Sequence, residues 1–272
     1  MKPYLYHSSA APGPDGQVLA LSSREAGWRY LEFQAFRLQP GQVLHGLTGR
    51  REECVVLLGG RADLSAGTRE YPGTGDRSDV WEQRPPYALL VPPNLTYSVR
   101  ALTACHLAVC GSPAPAGGKA QLITPEAMVR EERGEGQTRR VIRHILPPAA
   151  QAKRLILVEV YTPAGNWSSF PPHKHDTEDP PHEAYLEEVC YYQIRPSKGF
   201  ALQRLYTDDR SLDLALAPGD GDLVRVPRGY HPVAATPGHD CYCLNVMAGP
   251  GRAWNFRVDP DYADLMSWHN PS

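Results

Sequence analysis

Short apolar segments bounded by glycine or proline recur along the whole chain, and their pattern predicts the fold. The segments are rich in β-branched and aromatic residues, which favours strands over helices. They are Leu31–Leu38, Cys54–Leu58, Tyr87–Val91, Leu107–Cys110, Leu155–Tyr161, Val189–Ile194, Phe200–Tyr206, Leu223–Val226 and Tyr242–Met247. The best helical signal is Pro260–Trp268, in which Asp261 is a candidate cap for a short helix. Many short strands joined by tight turns predict an all-β protein, either a barrel or a sandwich.

The two halves of the sequence share landmarks at the same spacing. In each half a Glu-Glu pair opens an apolar segment, and the same number of residues separates the pair from a following Val-Pro step. The Pro- and Gly-rich stretch 112–118 separates the halves and is typical of a linker. Equal spacing of this kind favours an internal duplication. We therefore predict two homologous β-barrels, the first over residues 1–115 and the second over residues 120–272.

Composition narrows the class of protein. The chain has 272 residues, of which 42% are hydrophobic, and this supply of core residues excludes a disordered protein. The 28 basic and 30 acidic residues give a formal charge of -2, which provides no electrostatic reason to expect a nucleic-acid partner or a membrane partner. The six cysteines form no C-x-x-C pair and the N-terminus lacks the apolar stretch of a signal peptide, so we expect buried thiols in a cytoplasmic protein. The stretch Glu131–Arg140 alternates in charge as a solvent-exposed face does.

Three histidines and a carboxylate in the second half form the candidate metal site. His173 and His175 are two residues apart, and in an extended segment the side chains at i and i+2 lie on one face. His231 follows a Pro/Gly turn that would bring it back beside them. Imidazole and carboxylate ligands suit a divalent transition metal, with positions left for water or substrate. The first half has Thr96 where His231 would lie and contains no H-x-H pair, so we expect its barrel to lack metal ligands.

Glu187 and Glu188 are both candidates for the carboxylate ligand. Consecutive residues of a strand point to opposite faces, so only one of them can face the barrel interior unless a bulge intervenes. The match to the first half favours Glu188, because Glu53 begins the corresponding segment. On that register Glu188 and Tyr192 share the inward face. Glu187 then shares the outer face with Tyr191, which would need cover from the other barrel or from a partner subunit in a homo-oligomer.

The ligand pattern resembles the two motifs of the cupin superfamily. The matching positions are Gly165, His173, His175, Glu188 and Gly199 for the first motif and Gly221, Pro227, Gly229 and His231 for the second. The sequence departs from the usual motifs in two places. The gap between His175 and the glutamate is longer than usual, and His231 lies one residue closer to Gly229 than in the common spacing.

Longer strings resemble one family within that superfamily. Pro-Pro-His-Lys-His-Asp, Val-Pro-Arg-Gly-Tyr-His-Pro-Val and Leu-Asn-Val-Met-Ala-Gly-Pro are similar to the 5-deoxy-glucuronate isomerases of myo-inositol catabolism. The resemblance implies a bicupin fold and an enzyme that converts 5-deoxy-D-glucuronate to 5-dehydro-2-deoxy-D-gluconate. It therefore implies a small-molecule sugar acid as the substrate.

Aldose–ketose isomerisation moves a hydrogen between C1 and C2, and the site residues are interpreted in that light. A divalent metal bound to O1 and O2 would stabilise the enediolate charge, and Zn, Mn, Fe and Ni all accept these ligands. A general acid/base must also carry a proton. The catalytic candidates near the predicted site are Glu187, Tyr191, Gln203 and Tyr206, together with Arg204, Arg225 and Arg228 as partners for the substrate carboxylate. The alternatives are a ketol-isomerase of another uronate, a bicupin dioxygenase with Fe(II) in the same site, and a sugar-binding module with a structural metal.

Overall fold

The computed structural model describes residues 2–147 and 149–268, and the all-β prediction is confirmed. From the N-terminus the strands are β1 (Leu5–Tyr6), β2 (Gln17–Leu21), β3 (Glu32–Leu38), β4 (Val43–Leu47), β5 (Arg51–Gly59), β6 (Ala62–Ala66), β7 (Arg69–Thr74), β8 (Ala88–Val91), β9 (Thr96–Ala101), β10 (Cys105–Pro113) and β11 (Gln121–Ile123). They continue as β12 (Val129–Arg133), β13 (Arg140–His144), β14 (Ile156–Thr162), β15 (Trp167–Ser168), β16 (His173–Lys174), β17 (Glu187–Arg195), β18 (Ala201–Tyr206), β19 (Asp213–Leu216), β20 (Leu223–Val226), β21 (Val233–Ala235), β22 (Asp240–Ala248) and β23 (Arg257–Val258).

The helical segments are short. They are the α-helix α1 (Ser23–Ala26) and 3-10 helices at Val80–Glu82, Pro125–Ala127, Gly136–Thr138 and Pro260–Trp268. The helix predicted at the C-terminal end is therefore present as a 3-10 helix. Within the described ranges, no helix is both long and apolar enough to cross a membrane.

The chain divides into two compact units, and one of them is formed by Ser8–Val129 and Ile145–Ile156. Its two sheets have the strand orders β11-β8-β5-β10-β3-β2 and β4-β9-β6-β7. Apolar side chains from both sheets form its buried core, among them Val55 from β5 and Val99 from β9. Burying a side chain of this size stabilises the fold by roughly 1.5–3 kcal/mol.

The other unit is formed by Met1–His7, Arg130–His144 and Leu157–Ser272. Its large sheets have the orders β1-β20-β17-β22-β14-β13-β12 and β15-β21-β18-β19, and β16 pairs with β23 as a two-stranded ribbon. Its buried core again draws on both large sheets, with Tyr192 from β17 and Leu205 from β18.

The strand order of one unit repeats in the other. The run β8-β5-β10-β3 corresponds to β20-β17-β22-β14, and β4-β9-β6-β7 corresponds to β15-β21-β18-β19. The registers also agree, because Glu53 lies opposite Val91 in one ladder and Glu188 lies opposite Val226 in the other. The shared spacing in the sequence therefore reflects the same strand arrangement in both units, and it places Glu53 and Glu188 at equivalent positions.

The division of the chain differs from the predicted boundaries of 1–115 and 120–272. Strand β1 pairs with β20, with Leu5 opposite Val224, so the first residues belong to the unit formed by the second half. Strand β11 pairs with β8, so the chain as far as Val129 belongs to the other unit. Long-range strand pairing decides these boundaries, and the composition of the linker does not encode it.

A single carboxylate holds the segment Ile145–Ile156 in its unit. Glu52 is buried, and its two oxygens accept hydrogen bonds from the backbone N–H groups of Lys153, Arg154 and Leu155 at 2.7, 2.7 and 3.0 Å. Backbone donors withdrawn from water need an acceptor, and an ionised acceptor makes the stronger bond. The first residue of the Glu-Glu pair therefore has a structural role in this half of the chain.

All six cysteines are free and buried, as the sequence predicted. Cys54 and Cys110 lie opposite each other in neighbouring strands of one unit, and Cys190, Cys241 and Cys243 belong to the core of the other. Burial raises the pKa of the Cys241 thiol. A protonated, buried thiol behaves as a small apolar side chain.

Replacing the Glu52 carboxylate tests its role in the fold. Glu52→Gln keeps the shape but loses the charge that strengthens three backbone hydrogen bonds, so we expect the free energy of unfolding to fall by about 1–3 kcal/mol. Urea denaturation measures the change. Glu70→Gln, at an exposed position of β7, is the control and should leave the midpoint unchanged. Equal midpoints for the two variants would contradict the prediction.

Candidate metal centre

Three predicted ligands from distant parts of the sequence meet inside one unit. His175 follows β16, Glu188 is the second residue of β17, and His231 lies between β20 and β21. All three are buried. The Oε2 atom of Glu188 lies 2.8 Å from Nε2 of His175 and 3.2 Å from Nε2 of His231. One ligand atom from each residue lies within 4.8 Å of the others, which is close enough for a single ion to contact all three.

Backbone carbonyls determine which nitrogen of each imidazole faces the carboxylate. Nδ1 of His175 lies 3.1 Å from the carbonyl oxygen of Leu186, and Nδ1 of His231 lies 3.0 Å from that of Gly229. A carbonyl only accepts, so Nδ1 carries the proton and donates it. Nε2 of each ring then faces Glu188, and its lone pair would be available to a metal ion bound there. Metal-binding histidines are oriented in this way, with the second nitrogen held by a carbonyl or a carboxylate.

The charge of the cluster favours a cation. Two nitrogen lone pairs and a carboxylate oxygen repel one another at these distances unless a metal ion or bound protons lie between them. Burial alone would raise the pKa of the Glu188 carboxyl, but the imidazoles of His231 and His175 outweigh this effect and hold its pKa well below the usual range. Glu188 is therefore ionised, and the set of donors fits a divalent transition metal.

The fourth predicted ligand, His173, lies beside this cluster. Its ring centroid is 4.9 Å from that of His231 and 6.4 Å from that of His175. Its Nδ1 atom faces the carbonyl oxygen of Pro171 at 3.3 Å, as the other two imidazoles face carbonyls. The ring of Phe256 packs against it at a centroid distance of 4.7 Å. His173 thus has the same orientation pattern as the other two histidines, although it lies outside the group that converges within 4.8 Å.

A narrow cavity of about 20 Å³, measured as the space open to the centre of a water molecule, lies beside Glu188 and His173. Arg133, Arg140, Asn245 and Trp254 also line it. The two arginines were missed by the sequence analysis, because the alternating charges of Glu131–Arg140 were interpreted as a solvent-exposed face. That interpretation is wrong for Arg140, which is only 2% exposed. Arg140 is the first residue of β13 and faces the same way as Ile142, two residues later, which also lines the cavity.

Comparison with known proteins identifies the family. The sequence profile of the KduI/IolB family matches residues 5–265. This chain belongs to the KduI/IolB family. It is 48% identical over 259 residues, 95% of its own length and 94% of the relative's, to a protein of Geobacillus thermodenitrificans named 5-deoxy-glucuronate isomerase. A Bacillus subtilis protein of the same name is 38% identical over 232 residues, which are 85% of this chain and 86% of that protein.

Solved structures show the same relationship at the level of the fold. An IolB-like protein of Salmonella typhimurium LT2 matches with a TM-score of 0.94 at 40% identity, and the match covers 97% of this chain and 100% of that one. Oxalate decarboxylase of Lactobacillus farciminis matches with a TM-score of 0.66 at 13% identity, over 98% of this chain and 93% of that one. The second likeness concerns the fold alone, and it confirms the predicted bicupin fold.

In this KduI/IolB chain, β17 has the predicted register. Glu188 faces His175 and His231, and Tyr192 on the same face belongs to the core between the sheets. Glu187 is the preceding residue and points the other way, where its carboxylate accepts a hydrogen bond from the Tyr185 hydroxyl at 3.4 Å. Both faces of the strand are buried at this point. The repeat in the sequence therefore distinguished the two glutamates correctly in orientation.

The structure separates the predicted catalytic residues. Gln203 lies on the inner face, where its side-chain oxygen accepts a hydrogen bond from the Tyr192 hydroxyl at 2.8 Å and its amide nitrogen is 3.5 Å from the carbonyl oxygen of His231. The others engage partners away from the three ligands or lie on the outer face. These are Arg204, paired with Asp213 at 2.8 Å, Tyr206, which donates to Asp259 at 2.6 Å, and Tyr191 and Glu187, which lie on the face of β17 opposite Glu188.

The two other candidate arginines also have partners of their own. Arg225 donates from Nε to the carbonyl oxygen of Pro3 at 3.0 Å, which fastens the N-terminal segment to β20. Arg228 is in the turn before His231 and donates to the Ser211 hydroxyl at 3.2 Å. Neither of them lines the cavity beside Glu188. The sequence of one strand does not show which of its arginines faces a cavity, because this depends on how the strand pairs and packs in the sheet.

The long gap between His175 and Glu188 forms a loop that is closed by a buried carboxylate. Glu183 is fully buried and accepts hydrogen bonds from the backbone N–H groups of Asp176 and Thr177 at 2.8 and 3.0 Å. Lys174 lies between the two histidines in sequence, and its ammonium group is 2.9 Å from Asp176 and 3.4 Å from Glu183. The extra residues relative to the usual cupin motif therefore form a loop that is held by ion pairs and by hydrogen bonds to a carboxylate.

The same loop is bonded to the turn that carries His231. The Oδ2 atom of Asp176 accepts a hydrogen bond from the Gly229 N–H at 2.7 Å. Gly229 has a φ of +84°, and a Cβ at this position would lie 2.2 Å from the carbonyl oxygen of Tyr206. Only glycine fits there without displacing the neighbouring strand. Asp176 and Gly229 together determine where His231 lies relative to His175.

Breaking the bond between the two loops tests this arrangement. Asp176→Asn removes the charge that holds the Gly229 N–H, so His231 should be less well positioned. We expect the affinity for Zn or Mn to fall by about 10–100-fold, the usual cost of losing a group that orients a ligand. Competition with a chromogenic chelator measures the affinity. The control is Asp179→Asn, which removes an exposed pair with Arg257 and should bind metal as the unmodified protein does. Unchanged affinity in Asp176→Asn would contradict the role given to this bond.

Proposed function

We propose that this chain is a metal-dependent aldose–ketose isomerase that converts 5-deoxy-D-glucuronate to 5-dehydro-2-deoxy-D-gluconate. The observation that carries the proposal is the convergence of His175, Glu188 and His231 in a chain of the KduI/IolB family. Nδ1 of each imidazole donates to a backbone carbonyl, so Nε2 faces the carboxylate. The substrate follows from the relatives named 5-deoxy-glucuronate isomerase, which match nearly the whole chain. The proposal places the reaction in myo-inositol catabolism and in the cytoplasm.

The proposed cofactor is one divalent metal ion held by His173, His175, Glu188 and His231. Imidazole nitrogens with one carboxylate suit Zn, Mn, Fe or Ni, and they leave positions open for substrate oxygens. When bound, such an ion acts as a Lewis acid that stabilises negative charge on O1 and O2 of the sugar. The equivalent carboxylate of the other unit, Glu53, has the Tyr97 hydroxyl as its partner. We therefore propose a metal in only one of the two units.

The residues around the proposed site keep the ligands in place. Glu188 and the two imidazoles are held by β17 and by backbone carbonyls, so little reorganisation is needed when an ion binds. Gln203 is proposed as a positioning residue, because its amide approaches the carbonyl oxygen of His231. Phe256 covers the ring of His173, and Ile142 and Val160 line the adjacent cavity. These apolar groups lower the local dielectric and strengthen the electrostatic interactions of the site.

Removing single ligands tests the proposed metal centre. His175→Ala, Glu188→Gln and His231→Ala should each lower metal affinity by more than about 100-fold, beyond the cost of losing an orienting group, and should abolish turnover. The matched controls are His182→Ala, at an exposed position of the loop, and Glu187→Gln, on the other face of β17. Metal content after dialysis is measured by atomic emission. Full retention of metal in Glu188→Gln together with its loss in Glu187→Gln would reverse the assignment of the two glutamates.

Turnover distinguishes the proposed reaction from its alternatives. The metal-loaded protein should convert 5-deoxy-D-glucuronate without oxygen or any co-substrate, and NMR should show loss of the aldehyde-derived C1 signals and formation of the ketone product. Treatment with EDTA should stop the reaction, and added metal should restore it. Oxygen uptake by the ferrous-loaded protein would instead indicate a dioxygenase. Binding without conversion would indicate a sugar-binding module, and preference for a different uronate would indicate another ketol-isomerase.

A further inference from the structure

The cavity beside Glu188 has a cationic wall. Arg133 and Arg140 line it, and only 16% of the Arg133 side chain is exposed while Arg140 is 2% exposed. Burial and the neighbouring charge of Arg133 lower the pKa of Arg140 to about 10, so its guanidinium remains protonated at neutral pH. Two cations close together in a poorly solvated wall repel each other, and a bound anion offsets that cost.

The acidic groups near these arginines do not remove the positive charge of the site. Glu131 pairs with Arg133 at 2.7 Å, and the same carboxylate is 2.9 Å from Nε2 of His144. Glu188 lines the cavity as well, but its carboxylate is directed at the imidazoles of the proposed metal centre. With a divalent ion in that centre, the charges around the cavity sum to a positive value. The cavity is thus suited to an anionic ligand rather than a neutral one.

Neutral donors complete the same wall. The indole Nε1–H of Trp254 is buried, and within the described part of the chain it has no hydrogen-bond acceptor. Burying a hydrogen-bond donor without an acceptor costs free energy, and a carboxylate oxygen has lone pairs that can accept this hydrogen bond. Asn245 lines the cavity from β22, and Cys190, opposite it in the ladder, follows Glu188 by two residues on the same face of β17. The donors and the proposed metal centre therefore open onto one cavity.

We propose that Arg140 and Arg133 bind the carboxylate of the sugar-acid substrate, with the indole N–H of Trp254 as a further donor. A guanidinium presents a planar pair of N–H groups that matches a carboxylate, and its charge strengthens both hydrogen bonds. The carboxylate would be held in the cavity while the other end of the sugar reaches the metal centre. This inference rests on the proposed function for the identity of the ligand. It makes Arg140 and Arg133 the residues that distinguish a uronate from a neutral sugar.

Two ligands that cannot isomerise test the proposal independently of turnover. The first is 5-deoxy-D-glucuronate reduced at C1, which keeps the carboxylate, and the second is the corresponding neutral 5-deoxyhexitol. Calorimetry on the zinc-loaded protein should show tighter binding of the acid. Arg140→Gln should weaken binding of the acid by about 10–100-fold and leave binding of the hexitol unchanged, because only the charge-assisted hydrogen bonds are lost. Arg139→Gln, at the exposed position next to Arg140, is the matched control and should bind the acid as the unmodified protein does.

Each outcome decides for or against the assignment. Loss of discrimination in Arg140→Gln, with an unchanged melting temperature, supports it even if the protein fails to isomerise 5-deoxy-D-glucuronate. An unmodified protein that binds the two ligands equally, or a folded Arg140→Gln that still prefers the acid, overturns it. If Arg140→Gln fails to fold, Arg133→Gln and Arg140→Lys take its place. Reduced preference for the acid in these variants supports the proposal, and full preference in both overturns it.

Discussion

A buried carboxylate that faces two imidazoles is the interaction on which the rest of this unit depends. Glu188 can remain ionised out of water only if cationic or metal-bound groups surround it. His175 and His231 must therefore lie beside it with their Nε2 atoms facing the carboxylate. Three features of the fold position these groups. The ladder of β17 with β20 sets the position of Glu188, backbone carbonyls set the imidazole tautomers, and the Asp176–Gly229 bond joins the two loops.

The duplicated unit shows what the fold alone provides. Its ladder places Glu53 at the position of Glu188, and burial raises the pKa of the Glu53 carboxyl. There the partners are the hydroxyl of Tyr97 and the guanidinium of Arg51, whose Nε is 3.7 Å away. The same backbone register therefore accommodates a carboxylate beside a phenol in one unit and beside imidazoles in the other. The chemistry resides in the loops around the strand, and the strand supplies only the carboxylate.

The proposed carboxylate site and the proposed metal centre border the same small cavity. His173 and Glu188 suit a divalent transition metal, whereas Arg140 and Arg133 suit an anion, and all four side chains line the same space. In the lining, Ile142 and Val160 keep the local dielectric low, so each set acts strongly on the group it faces. A neutral sugar would satisfy only one of the two sets.

The sequence by itself determined the all-β class, the duplication and the orientation of Glu188 towards His175 and His231, because strand periodicity and repeat spacing are properties of the chain itself. It did not determine which unit the ends of each half join, since β1 and β11 are assigned by pairing with distant strands. It also misjudged Arg140, whose alternating neighbours are typical of an exposed face. Whether one face of a strand such as β13, which lies between β14 and β12, is exposed to solvent or lines a cavity depends on what packs against it, and only the tertiary structure shows this.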